Sequence, residues 1–229
     1  MKDLEILFKD KQLLDLALTH RSWVNEHKGA RESNERLEFL GDAVLEFIVS
    51  RTLYKTFPEK DEGFLTALRA NLVNTISLAQ VASNLKLGEI IYLSKGEEET
   101  GGRSNSSLLA DTVEAIIGAL FIDQGLESAE GFINKNLLID LEERSKQPLK
   151  DSKSQLQEYA QSKKLPTPKY RVVEESGPDH DKKFIIEVLV ADRAWGTGEG
   201  KSKATAEQEA AKNALAVVQY PDESTNKHD

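Results

Sequence analysis

For its first 145 residues the chain strings together apolar runs at helical spacing, separated by short polar breaks; after that the rhythm changes. Leu13, Leu14, Leu16, Ala17 and Leu18 predict a short apolar helix that ends near Thr19-His-Arg-Ser22. Ser33 or Asn34 can cap a long helix running to about Tyr54 and stopped by Phe57-Pro58. Another begins at Asp61, with Leu65, Leu68, Leu72, Val73, Ile76, Leu78 and Val81 at helical spacing. Residues 94–104, punctuated by Gly and Ser, predict a mobile polar loop. A buried helix is expected from about residue 105 to 123, closed by Gly125, and an amphipathic one over 126–144.

Around residues 145–151 the apolar period lapses and a Pro appears. The later pattern is a helix over 152–162, an alternating strand at 169–175, a second strand at 184–190, a short Gly-broken third at 194–198, and an Ala-rich helix from 204 to 218. The expected organisation is an all-α domain over 1–145, a linker at 146–151, an α+β domain of order α-β-β-β-α over 152–220, and a disordered tail at 221–229.

Composition narrows the class. With 39% hydrophobic and 30% charged residues, the chain has enough apolar material for a core and suits a helix-rich protein. The absence of Cys removes disulfides, thiolate metal sites and thiol nucleophiles. The amino terminus is charged and no apolar run reaches membrane-spanning length, so a cytoplasmic protein with no membrane partner is expected. The net charge of −9 argues against a polyanionic partner until the chain is divided. Residues 1–150 hold 18 Lys+Arg against 25 Asp+Glu, net −7, whereas residues 151–220 hold 11 of each. The acidity sits with the candidate chemistry, where bound cations would offset part of it.

That chemistry lies in two helices that carry carboxylates inside apolar runs. At about 100° per residue, Glu38, Asp42, Glu35 and Glu46 fall at about 0°, 40°, 60° and 80°, so all four share one stripe. Leu37, Phe39, Leu40, Ala43, Val44 and Phe47 occupy the rest of the circumference. Asp111 and Glu114, three residues apart, share a face among Leu108, Leu109, Val113, Ile116 and Ile117. A single acidic pair on a helix is ordinarily a solvated face. Two pairs pressed among Leu, Ile and Val need a counter-charge, and a hard divalent cation with oxygen ligands supplies it, Mg²⁺ or in its place Mn²⁺. Glu46 reads as structural or salt-bridged.

These residues also carry a resemblance. Asn34-Glu-Arg-Leu-Glu-Phe-Leu-Gly-Asp42 resembles the signature of the ribonuclease III family, supported by Leu18-Thr-His-Arg-Ser22, Glu62-Gly-Phe-Leu65, Gly102-Arg103 and Leu109-Ala-Asp-Thr-Val-Glu-Ala115. The order and spacing match the bacterial form with one catalytic domain, over almost the whole chain. The resemblance implies that Glu38, Asp42, Asp111 and Glu114 are the metal-binding catalytic acids, Asp42 and Glu114 above all. Glu35 and Glu62 match acids that support the site or the dimer contact. It further implies a homodimer through the N-terminal domain, double-stranded RNA as substrate, and products with 5′-phosphate and 3′-hydroxyl ends and a short 3′ overhang. Ribosomal RNA precursors and structured messages are the family's usual targets.

In the second domain, Gly198-Glu-Gly-Lys-Ser-Lys203 sets backbone N–H groups, a hydroxyl and two ammonium groups before a helix, an arrangement suited to phosphate. A solvated basic cap is the plainer alternative. The whole unit resembles a double-stranded-RNA-binding domain through Ser154-Gln-Leu-Gln-Glu158, Gly177-Pro-Asp-His180, and Lys201-Ser-Lys203 before Ala206-Glu-Gln208. That likeness assigns Gln157, Glu158 and His180 to minor-groove 2′-hydroxyls and Lys201, Ser202 and Lys203 to phosphates. The family often has a second Lys after Lys203; here the position is Ala204.

Two other readings remain: a non-catalytic duplex-RNA binder, and an acidic helical dimerisation protein with a spare RNA module. The first should have lost one of the four acids, and none is missing. The second leaves carboxylates inside apolar helices unexplained.

Overall fold

The computed structural model describes residue 4, residues 6–147, residue 149, and residues 151–178 and 181–219. His180 and the expected tail at 221–229 lie outside the described residues. The chain divides into two compact units, Met1–Leu149 and Lys150–Asp229.

The first unit is helical. Its elements are α1 (Lys11–Ala17), α2 (Arg21–Glu26), α3 (Glu35–Thr56), α4 (Glu62–Leu72), α5 (Thr75–Asn84), α6 (Lys95–Glu99), α7 (Ser106–Gln124), α8 (Leu126–Asn136) and α9 (Leu141–Ser145), with 3-10 turns at Leu87–Glu89 and Gly102–Ser104. One isolated parallel bridge, Thr19 to Tyr92, is the extended pairing among its described residues. The organising element is α7. From Leu108 to Leu120 nearly every residue is buried, with Ile116, Ile117 and Leu120 at or below 1% exposure. Each such side chain contributes roughly 1.5–3 kcal/mol by leaving water. A helix apolar all round can only be central, and α3 and α5 pack along it.

The run from Asp61 to Val81 is two helices, because Asn74 in extended conformation accepts from the Ser77 N–H and starts α5 afresh. The run 126–144 also breaks, into α8 and α9. Residues 94–104 form ordered turns: Ser94 caps α6 through the Glu97 N–H, and the Arg103 guanidinium donates to the carbonyls of Gly88 and Ile91 and pairs with Glu98. Asn34 precedes α3 as expected, but its side chain caps nothing. It is buried and donates to the Ala17 carbonyl, fastening the end of α1 to the start of α3.

The second unit runs α10 (Ser152–Ser162), β1 (Lys169–Ser176), β2 (Lys183–Val190), β3 (Arg193–Gly200) and α11 (Lys203–Gln219). The strands form an antiparallel sheet in the order β1-β2-β3. β2 alternates buried Phe184, Ile186, Val188 and Val190 with outward residues, as a half-covered strand must. β1 does not alternate cleanly: its register shifts between Val172 and Glu174, leaving Val172 and Val173 exposed. β3 is a full strand that its glycines do not break. A Cβ at Gly198 would lie 2.1 Å from the Ala210 nitrogen, so glycine lets the Ala-rich face of α11 sit directly on the sheet. Ala206, Ala210, Ala211 and Ala214 are all fully buried there. Among the described residues, no helix is long and apolar enough to cross a membrane.

Candidate functional site

The site begins with two glycines. A Cβ at Gly41 on α3 would stand 1.8 Å from the Glu114 carbonyl oxygen on α7, and one at Gly118 would stand 2.2 Å from the Leu37 carbonyl oxygen. The two helices therefore touch backbone to backbone. Glu38, one turn before Asp42, is thereby brought to the same place as Asp111 and Glu114. Glu38, Asp111 and Glu114 each offer one carboxylate oxygen, and all three oxygens lie within 4.8 Å of one another. All three side chains are half-buried.

Asp42 departs from the expected convergence of four. It is exposed and lies outside that group of three, although its charge is the largest acting on Glu114. Its short side chain leaves α3 one turn beyond Glu38. The supposed apolar collar around the stripe is also incomplete. Phe39 and Phe47 are 81% and 54% exposed, so only the Leu37, Val44 and α7 sides are dry.

Electrostatics record the crowding. Burial pushes the Glu114 carboxyl up to about 7 from its ordinary 4.5, helped by Asp42, Asp111 and Glu38. Glu38 is raised by burial first, then by Asp111, Glu35 and Asp42. Asp111 is raised by burial, with His20 opposing. Carboxylates held together this way have a standing demand for positive charge, and a donor set of carboxylate oxygens at a wet edge fits a hard divalent ion with room left for water and phosphate.

Glu35 is exposed; it accepts from Arg21 at 3.0 Å and from Ser33 at 2.8 Å, beside the cluster rather than in it. Glu62 is elsewhere. It opens α4, accepts from the Thr66 hydroxyl at 3.0 Å, and lines a mostly apolar hollow of about 510 Å³ with Phe47, Tyr54, Leu65 and Arg69. Glu46 pairs with Arg69 at 2.9 Å.

One neighbour has no counterpart in the helical spacing. His20 caps α2 through its Nδ1, which accepts from the Ser22 N–H, and it faces Glu97 and Asp111 closely enough to feel both charges. Burial lowers its pKa. Its place is set by the bridge that joins residues 18–20 to Tyr92, through Tyr92 N–H to the Leu18 carbonyl and His20 N–H to the Tyr92 carbonyl. The available signal was the block Leu18-Thr-His-Arg-Ser22, not any period.

In the second unit Gln157 and Glu158 are exposed on α10, one turn and a half after its Asp151 cap. Asp151 also accepts from the Gln208 amide on α11, which with the Ser154 donors holds its carboxyl down at about 2. Lys201, Ser202 and Lys203 are exposed at the start of α11. The Ser202 hydroxyl caps that helix by accepting from the Thr205 N–H at 3.2 Å.

Comparison with known proteins agrees with both units. A family model described as Ribonuclease-III-like matches residues 10–141, and one described as Double-stranded RNA binding motif matches residues 152–218. Ribonuclease 3 of Halalkalibacterium halodurans is 45% identical over 219 residues, spanning 95% of this chain and 83% of that protein. The chain belongs to the ribonuclease III family. It is accordingly a double-strand-specific endoribonuclease. The nuclease domain of the Campylobacter jejuni ribonuclease III, solved at 2.2 Å, covers 61% of this chain and 95% of its own with 43% identity and a TM-score of 0.56. A second structure of that domain, described as showing structural flexibility in the region involved in dimer formation, is 47% identical over 57% of this chain and 91% of its own, with a TM-score of 0.52.

Proposed function

We propose that this chain hydrolyses double-stranded RNA in a Mg²⁺-dependent manner, with Mn²⁺ able to substitute. Its products would have 5′-phosphate and 3′-hydroxyl ends with a short 3′ overhang. The observation that carries the reading is the trio of Glu38, Asp111 and Glu114 oxygens within 4.8 Å, mounted on two helices in backbone contact. Glu38, Asp42, Asp111 and Glu114 would hold the ion. When bound, Mg²⁺ supplies the positive charge that activates a water and stabilises the phosphate and the leaving 3′-oxygen. The chain's own work would be to hold that ion in a fixed place: Glu114 would bind it as the carboxylate, releasing any proton to solvent, Asp42 would add its carboxylate from the exposed side, and the locked crossing of α3 and α7 keeps the oxygens spaced. Positioning of this kind is where phosphoryl-transfer enzymes gain most of their rate.

The active form is a homodimer through the first unit, with Glu35 and Glu62 supporting the site or the contact. The second unit supplies grip. Gln157, Glu158 and His180 would meet 2′-hydroxyls, and Lys201, Ser202 and Lys203 the intervening phosphates, which reads the shape of an A-form helix and little of its bases. Ribosomal RNA precursors and structured messages, met in the cytoplasm, are the proposed substrates.

The test uses one long RNA duplex with Mg²⁺, with Ca²⁺, and with neither. Cutting is expected with Mg²⁺, and binding without cutting in Ca²⁺. Asp42→Asn and Glu114→Gln should each lower the cutting rate at least about a hundredfold while leaving duplex binding in place. Near wild-type cutting by either variant refutes the assigned roles.

A further inference from the structure

The turn before α11 is basic in sequence, and in the structure each of its two lysines has a carboxylate beside it. Lys201 Nζ lies 3.3 Å from Asp181, and Lys203 Nζ lies 3.9 Å from Glu175, which also accepts from Lys182 at 3.1 Å. The acids arrive from a different part of the sheet. Strand register sets Glu175 of β1 opposite Phe184 of β2, and Phe184 opposite Gly200 of β3. Glu175 therefore stands on the same line across the sheet as the residue that precedes Lys201. The Lys203 ammonium bridges that line, 5.6 Å over the Phe184 ring. The Asp181 N–H donates to the Pro178 carbonyl at 2.9 Å. The even balance of 11 basic and 11 acidic residues over 151–220 thus reflects, at this turn, acids placed against the phosphate-facing lysines.

We propose that Asp181 and Glu175 compete with RNA phosphates for Lys201 and Lys203, and so set how tightly and how salt-sensitively the second unit holds duplex RNA. This rests on the reading above that the two lysines meet phosphates. Exposed ion pairs are weak, so a phosphate displaces the carboxylate. Displacement does not remove the acid, which stays within a few ångströms of the incoming phosphate and repels it. At physiological ionic strength charges feel one another over about 8 Å, so the penalty survives there and fades as salt rises. The acids lower affinity without abolishing it. The consequence for an endonuclease is weaker retention of duplex RNA at the second unit.

The opposite role is also physically coherent: the acids could hold the lysines in place for RNA. The two roles predict opposite signs. The experiment measures the dissociation constant of the full-length protein for an RNA duplex longer than the roughly 16 base pairs such a domain spans, in EDTA so that nothing is cut, across a salt series. Asp181→Asn and Glu175→Gln should each tighten binding by about twofold to fivefold at low salt, with a steeper dependence on salt. Glu174→Gln, the same charge change one residue away with no such pair, should have a smaller effect. Unchanged or weaker binding in Asp181→Asn and Glu175→Gln overturns the proposal, as does an equal gain from Glu174→Gln. If Lys201→Ala with Lys203→Ala leaves affinity unchanged, the phosphate reading beneath it fails instead; if that double variant weakens binding while the acid variants do nothing, only the competition is refuted.

Discussion

Gly41 and Glu114 meet backbone to backbone: a methyl group on the first would sit 1.8 Å from the carbonyl oxygen of the second. This contact is what converts spacing into a site. Two acidic stripes on separate helices become one cluster only if the helix axes come closer than any side chain permits. Gly41→Ala should therefore cost stability and activity together. Overpacking a core position costs about 1–3 kcal/mol, and here the obstacle is backbone, so the upper end is expected. Denaturant unfolding should show the loss, and cleavage at saturating Mg²⁺ should fall even where the variant is fully folded.

Glu114 makes stability depend on pH in an unusual direction. Its folded-state pKa of about 7 lies above the ordinary 4.5, so the folded protein binds this proton more tightly than the unfolded chain does. The stabilising contribution is complete below about 4.5 and is lost as pH rises through about 7. In EDTA, Glu114→Gln should melt higher than wild type at pH 8, with the gap closing below pH 4.5. Added Mg²⁺ should raise the wild-type melting temperature at pH 8 and leave that of Glu114→Gln nearly unchanged. Thermal melts at the two pH values, with and without metal, check both statements.

Ala204 occupies an exposed position in the first turn of α11, next to Lys203. Ala204→Lys should add one phosphate contact, tightening duplex binding and steepening the log–log salt slope by about 0.7–0.9. A salt titration of binding measures the slope; an unaltered slope would mean that α11 does not begin where the phosphates lie.

The period of the apolar residues made α3 and α7 legible, together with the faces carrying Glu38, Asp111 and Glu114, because helical geometry alone fixes which residues align. It failed where tertiary hydrogen bonds decide. Nothing in the composition of residues 94–104 says that Arg103 will reach the carbonyls of Gly88 and Ile91 and hold the segment in turns. Asn34 looks like a cap, yet it serves as a buried strut to Ala17. His20 reaches the acid cluster through a bridge to Tyr92, seventy-two residues away along the chain, which no local pattern encodes. Asp42 lies on the expected stripe but remains exposed, because a shared stripe on α3 does not fix how far each side chain reaches toward α7.

If the acids of α3 and α7 grip one divalent site, anomalous scattering from a crystal soaked in Mn²⁺ will show a peak among the carboxylates of Glu38, Asp111 and Glu114, with Asp42 turned toward it. A map with no peak there, or with Mn²⁺ bound only by other residues, would contradict it.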